Sequence, residues 1–561
     1  MSRLTPVSSA PVSSEERRRL AAAQHAQFAQ VAAHRKASRG LVDRYLDLLC
    51  FTLIGLALFA RGFAYWGVPP LFISEVTLVL GVVAMMAGGR FGPLFSMRIV
   101  WLLVAFIALA ALRTLPNLGL YGIDAPRDFM QVGYAAFAFI VASLVLAQPE
   151  RLKTLLRRYQ GFVVVMLTTV WIVYAAFKFG YDALPNLPWT DNAKIFEAKG
   201  GDLMVHLAGI TAFLLLGMRK VPAWLAAALV INFLLIVVSN RGGMVAYFLA
   251  IGFFFLLRPR TFQTGQVSKL AYAGLLFIIL GLFLGPVGSK IHGGTRSVSV
   301  EQLFENIKSV FGKSDSGSLQ GTVSWRLDWW TAIYDYTVRG PYFMTGKGFG
   351  PNLAKEDGFL VDKSLRSPHN GHMTILARMG VPGALLWILL SLAWFFSMLL
   401  LWWQARTQGR ERWMAVAAFL ITYFIATNIN ASFDVYFEGP MGGVWYWSVF
   451  GLGLAVLWLF KHHPSLLDDD ADPDARDASR PTQPASYVQP QPAVASGAGA
   501  SAWAAGPTAP VAGAGPTSAR ADGPQFLPAA RRRGPGVPRR EPPAGNDGAH
   551  GPPPRGPQRR R

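Results

Sequence analysis

The sequence predicts an all-α, polytopic integral membrane protein with about twelve transmembrane helices. The first observation is the composition, since 52% of the 561 residues are hydrophobic and only 15% are charged. The second is that the apolar residues between positions 45 and 460 form repeated runs of roughly 16 to 22 residues, near the length that a helix needs to cross a bilayer core of about 30 Å. The third is that basic residues are concentrated in alternate loops, which is typical of membrane topology.

The spans are assigned from the apolar runs in chain order. They cover residues 45–60, 71–88, 99–113, 129–147, 160–177, 203–218, 222–238, 243–257, 270–288, 380–403, 414–433 and 441–460. Nine spans therefore precede the longest connection in the chain, and three follow it.

The charges of the short loops predict the sidedness of the protein. Lys and Arg should favour cytoplasmic loops, and the basic residues that fit this rule are Arg90, Arg98, Arg151, Lys153, Arg157, Arg158, Arg219, Lys220, Arg258, Arg260, Lys269, Arg406, Arg410 and Arg412. Loops assigned to the outside are neutral, mixed or acidic, as with Asp434 and Glu438. Both termini are then cytoplasmic, and the long connection before the tenth span lies outside.

Five segments follow from this topology. Residues 1–44 form a basic cytoplasmic tail, either an amphipathic helix on the inner leaflet or a disordered segment. Residues 45–288 hold spans one to nine, residues 289–379 form an outer catalytic loop, and residues 380–460 hold spans ten to twelve. Residues 461–561 are rich in Pro, Ala and Arg and are predicted to be a disordered cytoplasmic tail.

Charge and cysteine content exclude two kinds of site. The formal net charge is +21, but most of the basic residues lie in the tails and in alternate loops. This distribution is typical of membrane topology and of contact with bilayer lipids, so no nucleic-acid partner is predicted. The chain has one cysteine, Cys50, which excludes an intrachain disulfide and a cysteine-based metal site.

Two arginines outside the basic loops are candidates for binding an anion. Arg326 lies in a helical stretch with Trp325, Trp329, Trp330 and Tyr334, for which Ser324 is the expected N-cap. This aromatic face fits either an interfacial anchor or a binding surface. Arg241, in the hairpin Ser239–Gly243, lies on the outside against the positive-inside trend, and a guanidinium there can hold phosphate oxygens.

The outer loop ends in Ser367-Pro368-His369-Asn370-Gly371-His372. His369 and His372 lack a third ligand at a spacing typical of zinc sites, so no metal is predicted. A neutral imidazole near the membrane surface is a suitable general base for a hydroxyl group. Both histidines remain candidates at this point.

Other polar features have less specific interpretations. Gly346-Lys347-Gly348-Phe349-Gly350 lacks the ending of a phosphate-binding loop and is interpreted as a flexible turn. Several polar residues within or beside the spans are candidates for lining a cavity: Glu75, Arg127, Asp128, His206, Asn232, Asn428 and Asn430. Of these, Arg127 and Asp128 are expected to pair with each other.

Taken in order, these motifs resemble the O-antigen ligase and O-antigen polymerase superfamily. The motifs are Ser-Asn-Arg-Gly-Gly at 239–243, Ser-Trp-Arg-Leu-Asp-Trp-Trp at 324–330, Gly-Lys-Gly-Phe-Gly at 346–350, Pro-His-Asn at 368–370 and Gly-Val-Pro-Gly at 380–383. The resemblance covers residues 45–460 and leaves out both tails.

The resemblance implies a glycosyltransferase of GT-C-like architecture in the bacterial inner membrane, with a periplasmic catalytic loop and neither metal nor cofactor. Its donor would be a glycan on undecaprenyl diphosphate, and its acceptor a lipid or a saccharide. By this similarity His369 would be the catalytic base, and Arg241 and Arg326 would bind the diphosphate. Asn370 would orient that region. His372, one turn from His369, and Arg127, at the start of the fourth span, are predicted as supporting residues from their positions in the sequence.

Several functions remain open from the sequence. A ligase that attaches a finished glycan to lipid A-core or another acceptor is preferred, and a polymerase of lipopolysaccharide or exopolysaccharide repeat units is the alternative. A protein O-glycosylating transferase is a third enzyme. A lipid-linked glycan flippase is disfavoured because the singled-out cations lie at the outer boundary and not at the bilayer midplane.

Overall fold

The structure is a computed structural model, and it describes residues 40–188, 190, 193–237, 240–257, 292–293, 296–297, 317–360 and 365–470. Five predictions lie wholly or largely outside these residues: the N-terminal tail up to residue 39, the basic loop with Arg258, Arg260 and Lys269, the span at 270–288, most of the predicted catalytic loop before residue 317, and the tail beyond residue 470.

The described chain is almost entirely helical. In chain order the helices are α1 (40–59), α2 (Arg61–Ala64), α3 (Ile73–Gly88), α4 (Gly92–Phe95), α5 (Arg98–Thr114), α6 (Leu118–Tyr121), α7 (Asp124–Gly133), α8 (Ala136–Ala147), α9 (Arg151–Phe179), α10 (Gly200–Leu215), α11 (Ala223–Val237), α12 (Arg241–Leu257), α13 (Gly317–Thr337), α14 (Leu353–Glu356), α15 (Gly371–Thr407), α16 (Glu411–Ala431) and α17 (Pro440–His462).

Short 3-10 helices and two small antiparallel ribbons complete the described elements. The 3-10 helices are Leu115–Asn117, Tyr181–Ala183 and Pro464–Asp470. Strand β1 (Gly67–Val68) pairs with β2 (Leu71–Phe72), and β3 (His292–Gly293) pairs with β4 (Arg296–Ser297).

Every predicted span except 270–288 coincides with a helix. Six helical segments are long and apolar enough to cross a membrane. They are Arg98–Tyr121, Asp124–Ala147, Arg151–Phe179, Gly371–Thr407, Glu411–Ala431 and Pro440–His462. Helices α3, α10, α11 and α12 are apolar but shorter. The prediction of an all-α polytopic membrane protein is confirmed.

Helix α10 is the centre of one half of the bundle, and all of its side chains from Gly200 to Leu215 are buried. It packs against α11, α12 and α16. Glycines permit this close packing, since a Cβ on Gly243 would lie 2.9 Å from the Cα of Gly201. Helices α8 and α17 form a second close pair.

The tenth predicted span differs from the structure at its start. Helix α15 begins at Gly371, nine residues before the predicted boundary, and is interrupted at Gly380, which has φ 67° and ψ −170°. A side chain at Gly380 would collide with the backbone of Phe343, since its Cβ would lie 2.5 Å from that carbonyl oxygen. The break in the helix therefore coincides with the predicted start of the span.

The predicted disordered tail also differs over its first residues. The α17 helix continues to His462, and Pro464–Asp470 forms a 3-10 helix in which Leu466 and Leu467 are buried. The indole of Trp413 donates to the carbonyl of Pro464 at 2.8 Å. These two leucines pack against the protein, whereas the tail as a whole is poor in large apolar residues.

Candidate functional site

The aromatic face of α13 builds a small core outside the helical bundle. Trp329 is fully buried, stacks on Phe359 with ring centroids 5.2 Å apart, and donates its Nε1 proton to Asp357 at 2.7 Å. The interfacial-anchor interpretation therefore does not describe Trp329. Because α13 begins at Gly317, Ser324 lies inside the helix and is not its N-cap.

This small core positions the segment that carries His369. Trp330 donates its Nε1 proton to the carbonyl of Pro368 at 2.9 Å, and the ring of Trp325 lies 6.2 Å from the ring of His369. His369 itself has a positive φ of 52°, a conformation that costs of the order of 1 kcal/mol for a non-glycine residue. The surrounding contacts thus hold the backbone of His369 in a conformation that is uncommon for a non-glycine residue.

Asn370 is the N-cap of α15. Its side-chain oxygen accepts hydrogen bonds from the backbone N–H groups of His372 at 3.0 Å and Met373 at 3.1 Å, which are the unpaired donors of a helix start. Asn370 therefore fixes where α15 begins, immediately after His369.

The two candidate histidines have different environments. His372 is engaged at both ring nitrogens, since Trp387 donates to its Nδ1 at 2.9 Å and its Nε2 lies 2.9 Å from the carbonyl of Asn428. Because Nδ1 accepts, Nε2 must carry the proton and donate. His372 therefore has no free nitrogen with which to accept a proton from a substrate.

His369 faces a carboxylate that sequence analysis used only as a loop charge. Nδ1 of His369 lies 3.6 Å from Oδ1 of Asp434, in the turn between α16 and α17. Lys199, just before α10, places its Nζ 3.3 and 3.4 Å from the two oxygens of the same carboxylate. These three residues come from distant parts of the sequence, and no spacing motif connects them.

The charges in this cluster change the pKa of Asp434. Burial raises that pKa, but the charge of Lys199, the nearby Nδ1 of His369 and the hydrogen bond from the Val435 N–H outweigh it, so the pKa is lowered overall. The carboxylate thus stabilises the fold above its ordinary pKa of about 3.9. That contribution is lost only as the pH falls through the lower folded-state pKa.

Arg326 lies beside this cluster. Its Nη1 donates to the carbonyl of Phe433 at 3.0 Å, one residue before Asp434. Its Nε is buried without a hydrogen-bond partner among the described residues. A buried donor without a partner is costly in a folded protein, and a bound acceptor such as an anion would satisfy it.

Arg241 lies at the same end of the bundle. It begins α12, and Asn240 caps that helix by accepting from the N–H of Gly243 at 2.6 Å. A Cβ on Gly242 would lie 2.8 Å from Cβ of Phe433, which brings the helix start against the turn that holds Asp434. The N-termini of α10, α12 and α15 therefore meet here, and their dipoles favour negative charge.

A further buried pair lies beneath the cluster. Asn430 donates to Oδ1 of Asp202 at 3.2 Å, and both side chains are buried. A Cβ on Gly201 would lie 2.6 Å from Oδ1 of Asn430. Asn430 was a sequence candidate, whereas Asp202, like Lys199 and Asp434, was missed.

The interpretation of Gly346–Gly350 as a flexible turn is wrong. The N–H of Lys347 donates to the carbonyl of Ala377 at 2.8 Å, and the N–H of Gly348 donates to that of Arg378 at 2.9 Å. Gly348 has φ 75°. The turn is thus fixed against the first segment of α15, and these two N–H groups are already used.

Arg127 belongs to a separate ion-pair cluster around Asp124 and Asp128. It lies 2.9 Å from Asp124 and 3.4 Å from Asp128, so the expected pairing is present. Arg366 and Arg378 each lie 3.0 Å from Oδ2 of Asp128. The cluster joins α7 to the loop that precedes α15 and to α15 itself, and none of its ion pairs involves His369.

This cluster gives a stability prediction. Replacing Asp128 with Ala should lower the free energy of unfolding by about 3 kcal/mol, because it leaves the buried guanidinium of Arg378 without its carboxylate. The measurement is the unfolding of purified protein in detergent. Asp335→Ala, which removes an exposed pair with Arg339, should cost less than about 1 kcal/mol. Equal losses in the two variants would contradict this role.

The other polar candidates each make a hydrogen bond inside the bundle, although Oε2 of Glu75 and Oδ1 of Asn232 are buried without a partner among the described residues. His206 is hydrogen-bonded to Tyr423, and Asn232 donates to the carbonyl of Leu167 at 2.9 Å. Glu75 accepts from the hydroxyl of Tyr134 at 2.7 Å. Within the part of the chain that the structure describes, no three His, Cys, Asp or Glu side chains form a group that could hold a metal ion.

A comparison with protein families matches residues 225–388 to the family described as O-antigen ligase. The matched segment includes Arg241, Arg326, His369, Asn370 and His372, whereas Arg127, Lys199 and Asp434 lie outside it. The resemblance to the O-antigen ligase and polymerase superfamily is therefore confirmed over this segment, which implies a glycosyltransferase-type activity. No curated protein matches the chain.

Proposed function

We propose that this protein transfers a glycan from a polyprenyl diphosphate to an acceptor hydroxyl. The premise is that residues 225–388 form an O-antigen ligase domain. The preferred function is ligation to lipid A-core or another saccharide acceptor. The end of the bundle that carries His369 faces the periplasm in this proposal, and the opposite end, with its basic loops, faces the cytoplasm.

His369 is the general base. Because Nδ1 faces the carboxylate of Asp434, that nitrogen carries the proton and Nε2 is left to accept one. The acceptor hydroxyl gives its proton to Nε2 while its oxygen forms a bond to the anomeric carbon of the donor. Asp434 stabilises the imidazolium that results, and Lys199 holds Asp434 in position.

The leaving group is the lipid diphosphate. As the bond between the anomeric carbon and the phosphate oxygen breaks, the electron pair remains on that oxygen and negative charge develops there. Arg326, whose buried Nε has no partner within the described part of the chain, and Arg241, at the positive end of α12, are the cations that stabilise this charge. No step in this scheme requires a second nucleophile.

One observation carries the proposal. His369, backed by Asp434 at 3.6 Å, shares one end of the bundle with Arg326, which holds the carbonyl of the residue preceding Asp434. A general base and a guanidinium at the same end of the bundle fit a reaction in which the acceptor hydroxyl loses a proton and the lipid diphosphate departs as an anion.

The arginines give a test of diphosphate binding. Arg326→Lys and Arg241→Lys should each lower glycan transfer by about 10- to 100-fold, because an ammonium does not reproduce the two parallel hydrogen bonds of a guanidinium. Transfer is measured with purified protein, a lipid-linked donor and an acceptor. Arg339→Lys, on an exposed side chain just beyond α13, is the matched control and should retain full activity. Wild-type transfer by both lysine variants would exclude diphosphate binding at these positions.

Cells that lack the protein distinguish a ligase from a polymerase. Long glycans that remain on the polyprenyl diphosphate, with bare acceptor, identify a ligase. Single repeat units, or acceptors that carry one unit, identify a polymerase. Normal glycans in both pools would contradict either function.

A further inference from the structure

The end of the bundle opposite His369 contains a groove that the proposed reaction does not use. Its volume is about 480 Å³, and it lies between α1, α9, α16 and α17. Apolar side chains such as Leu49, Leu156 and Phe419 form nearly all of its wall. The volume is within the range of about 300–1,000 Å³ that is typical of small-molecule sites.

Charged groups lie at one edge of this groove. Arg158 and Asp47 line it and form an ion pair with each other. Arg157 is exposed and precedes Gly161 by one helical turn on the same face of α9, and Arg44 is exposed and precedes Asp47 by one turn on α1. Asp43, one turn before Asp47, lies on the same face and pairs with Arg151 at 3.1 Å. The edge therefore carries four guanidinium groups and two carboxylates, and this net positive charge favours an anion.

The depth of the groove corresponds to part of one leaflet. The lining runs from Leu155 to Val165 on α9 and from Leu46 to Ile54 on α1, which is roughly 12 to 15 Å at 1.5 Å per residue. Half of a hydrocarbon core of about 30 Å is about 15 Å. A lipid chain that enters beside these charges thus remains within the leaflet from which it came.

We propose that this groove binds one anionic glycerophospholipid of the leaflet on the Arg158 side. One acyl chain lies against Leu49 and Phe162, and the phosphate lies at Arg157 and Arg158. The donor of the proposed reaction does not fit this site, because its diphosphate belongs at Arg241 on the opposite end of the bundle. This exclusion of the donor rests on the proposed function, whereas the groove and its charged edge are observed independently of it.

Lipid binding is measured on full-length protein purified in detergent. Native mass spectrometry and thermal unfolding are recorded with added phosphatidylglycerol that has one palmitoyl and one oleoyl chain, and with phosphatidylcholine of the same chains. The expected result is one retained phosphatidylglycerol, bound at least tenfold more tightly than phosphatidylcholine, and a higher Tm. Equal binding of the two lipids would overturn the assignment of an anionic ligand.

Filling the groove tests its location. Gly161 lines the groove, and a Cβ built there meets nothing within 4 Å. Gly161→Leu should therefore fold and weaken phosphatidylglycerol binding by tenfold or more, since each displaced CH₂ contact is worth about fourfold. Gly252→Leu, at an exposed glycine in α12 that also has an open Cβ and lies outside the groove, should bind as the wild type does.

Two further variants separate the effect of filling the groove from the effect of removing a charge at its edge. Gly161→Ala adds only one methyl group and should weaken binding less than Gly161→Leu does. Arg157→Gln removes a surface charge without filling the groove and should reduce the preference for phosphatidylglycerol several-fold. Unchanged binding in both Gly161→Leu and Arg157→Gln, or displacement of the lipid by a polyprenyl phosphate at equal concentration, would overturn the proposal.

Discussion

His369→Ala should abolish glycan transfer, with a loss of at least about 10³-fold in rate. General bases of this kind contribute about 10²- to 10⁴-fold, and here the alanine also removes the cation that forms beside Asp434. The assay is transfer from a purified lipid-linked donor, with protein level and Tm measured on the same preparation. The side chain is partly exposed at 32%, so we expect the variant to insert and fold normally.

An exposed histidine at the other end of the bundle is the matched control. His463 follows the last residue of α17, and His463→Ala should leave transfer unchanged. His372→Ala is a different case, because it breaks the hydrogen bonds with Trp387 and Asn428 and should lower stability. Full activity in His369→Ala would show that His369 is not the general base.

Asp434→Asn should lower the rate of transfer by about 100-fold. An amide has the shape of the carboxylate but no charge to stabilise the imidazolium of His369, and the loss of one preorganised electrostatic partner costs about 10²- to 10³-fold. Lys199 also loses its ion-pair partner. The rate constant for transfer is the quantity to measure, and Asp182→Asn, on an exposed carboxylate between α9 and α10, is the control.

A double variant separates positioning from a general loss of stability. If Asp434 acts through His369, then His369→Ala combined with Asp434→Asn should be no less active than His369→Ala alone, since residues that act as a unit are not additive. A double variant whose losses multiply would mean that Asp434 acts on the reaction independently of His369.

The transmembrane helices could be predicted from the sequence because the signal for them is local. A run of about twenty apolar residues predicts a helix, since a helix satisfies all backbone hydrogen bonds within the one segment that crosses the lipid. His369, Arg241 and Arg326 were also found from the sequence, because each stands out against its neighbours in a loop or at a helix start.

Some local predictions failed where contacts from elsewhere in the chain decide the conformation. The Gly346–Gly350 segment has the composition of a flexible turn, yet its N–H groups are bonded to carbonyls of α15. Ser324 has the chemistry of an N-cap, yet α13 begins earlier, at Gly317. Composition describes what a segment can do by itself and does not include its tertiary partners.

The sequence by itself therefore determined the helical membrane fold, and it predicted two histidines as candidate bases and two arginines as candidate anion-binding residues. Only the tertiary structure joined Lys199, His369 and Asp434, because Lys199 and Asp434 are 235 residues apart and belong to different helix ends. Only the tertiary structure separated His369 from His372, since Trp387 occupies Nδ1 of His372. The physical reason is that electrostatic and hydrogen-bond partners act over a few ångströms in space, whatever their separation along the chain.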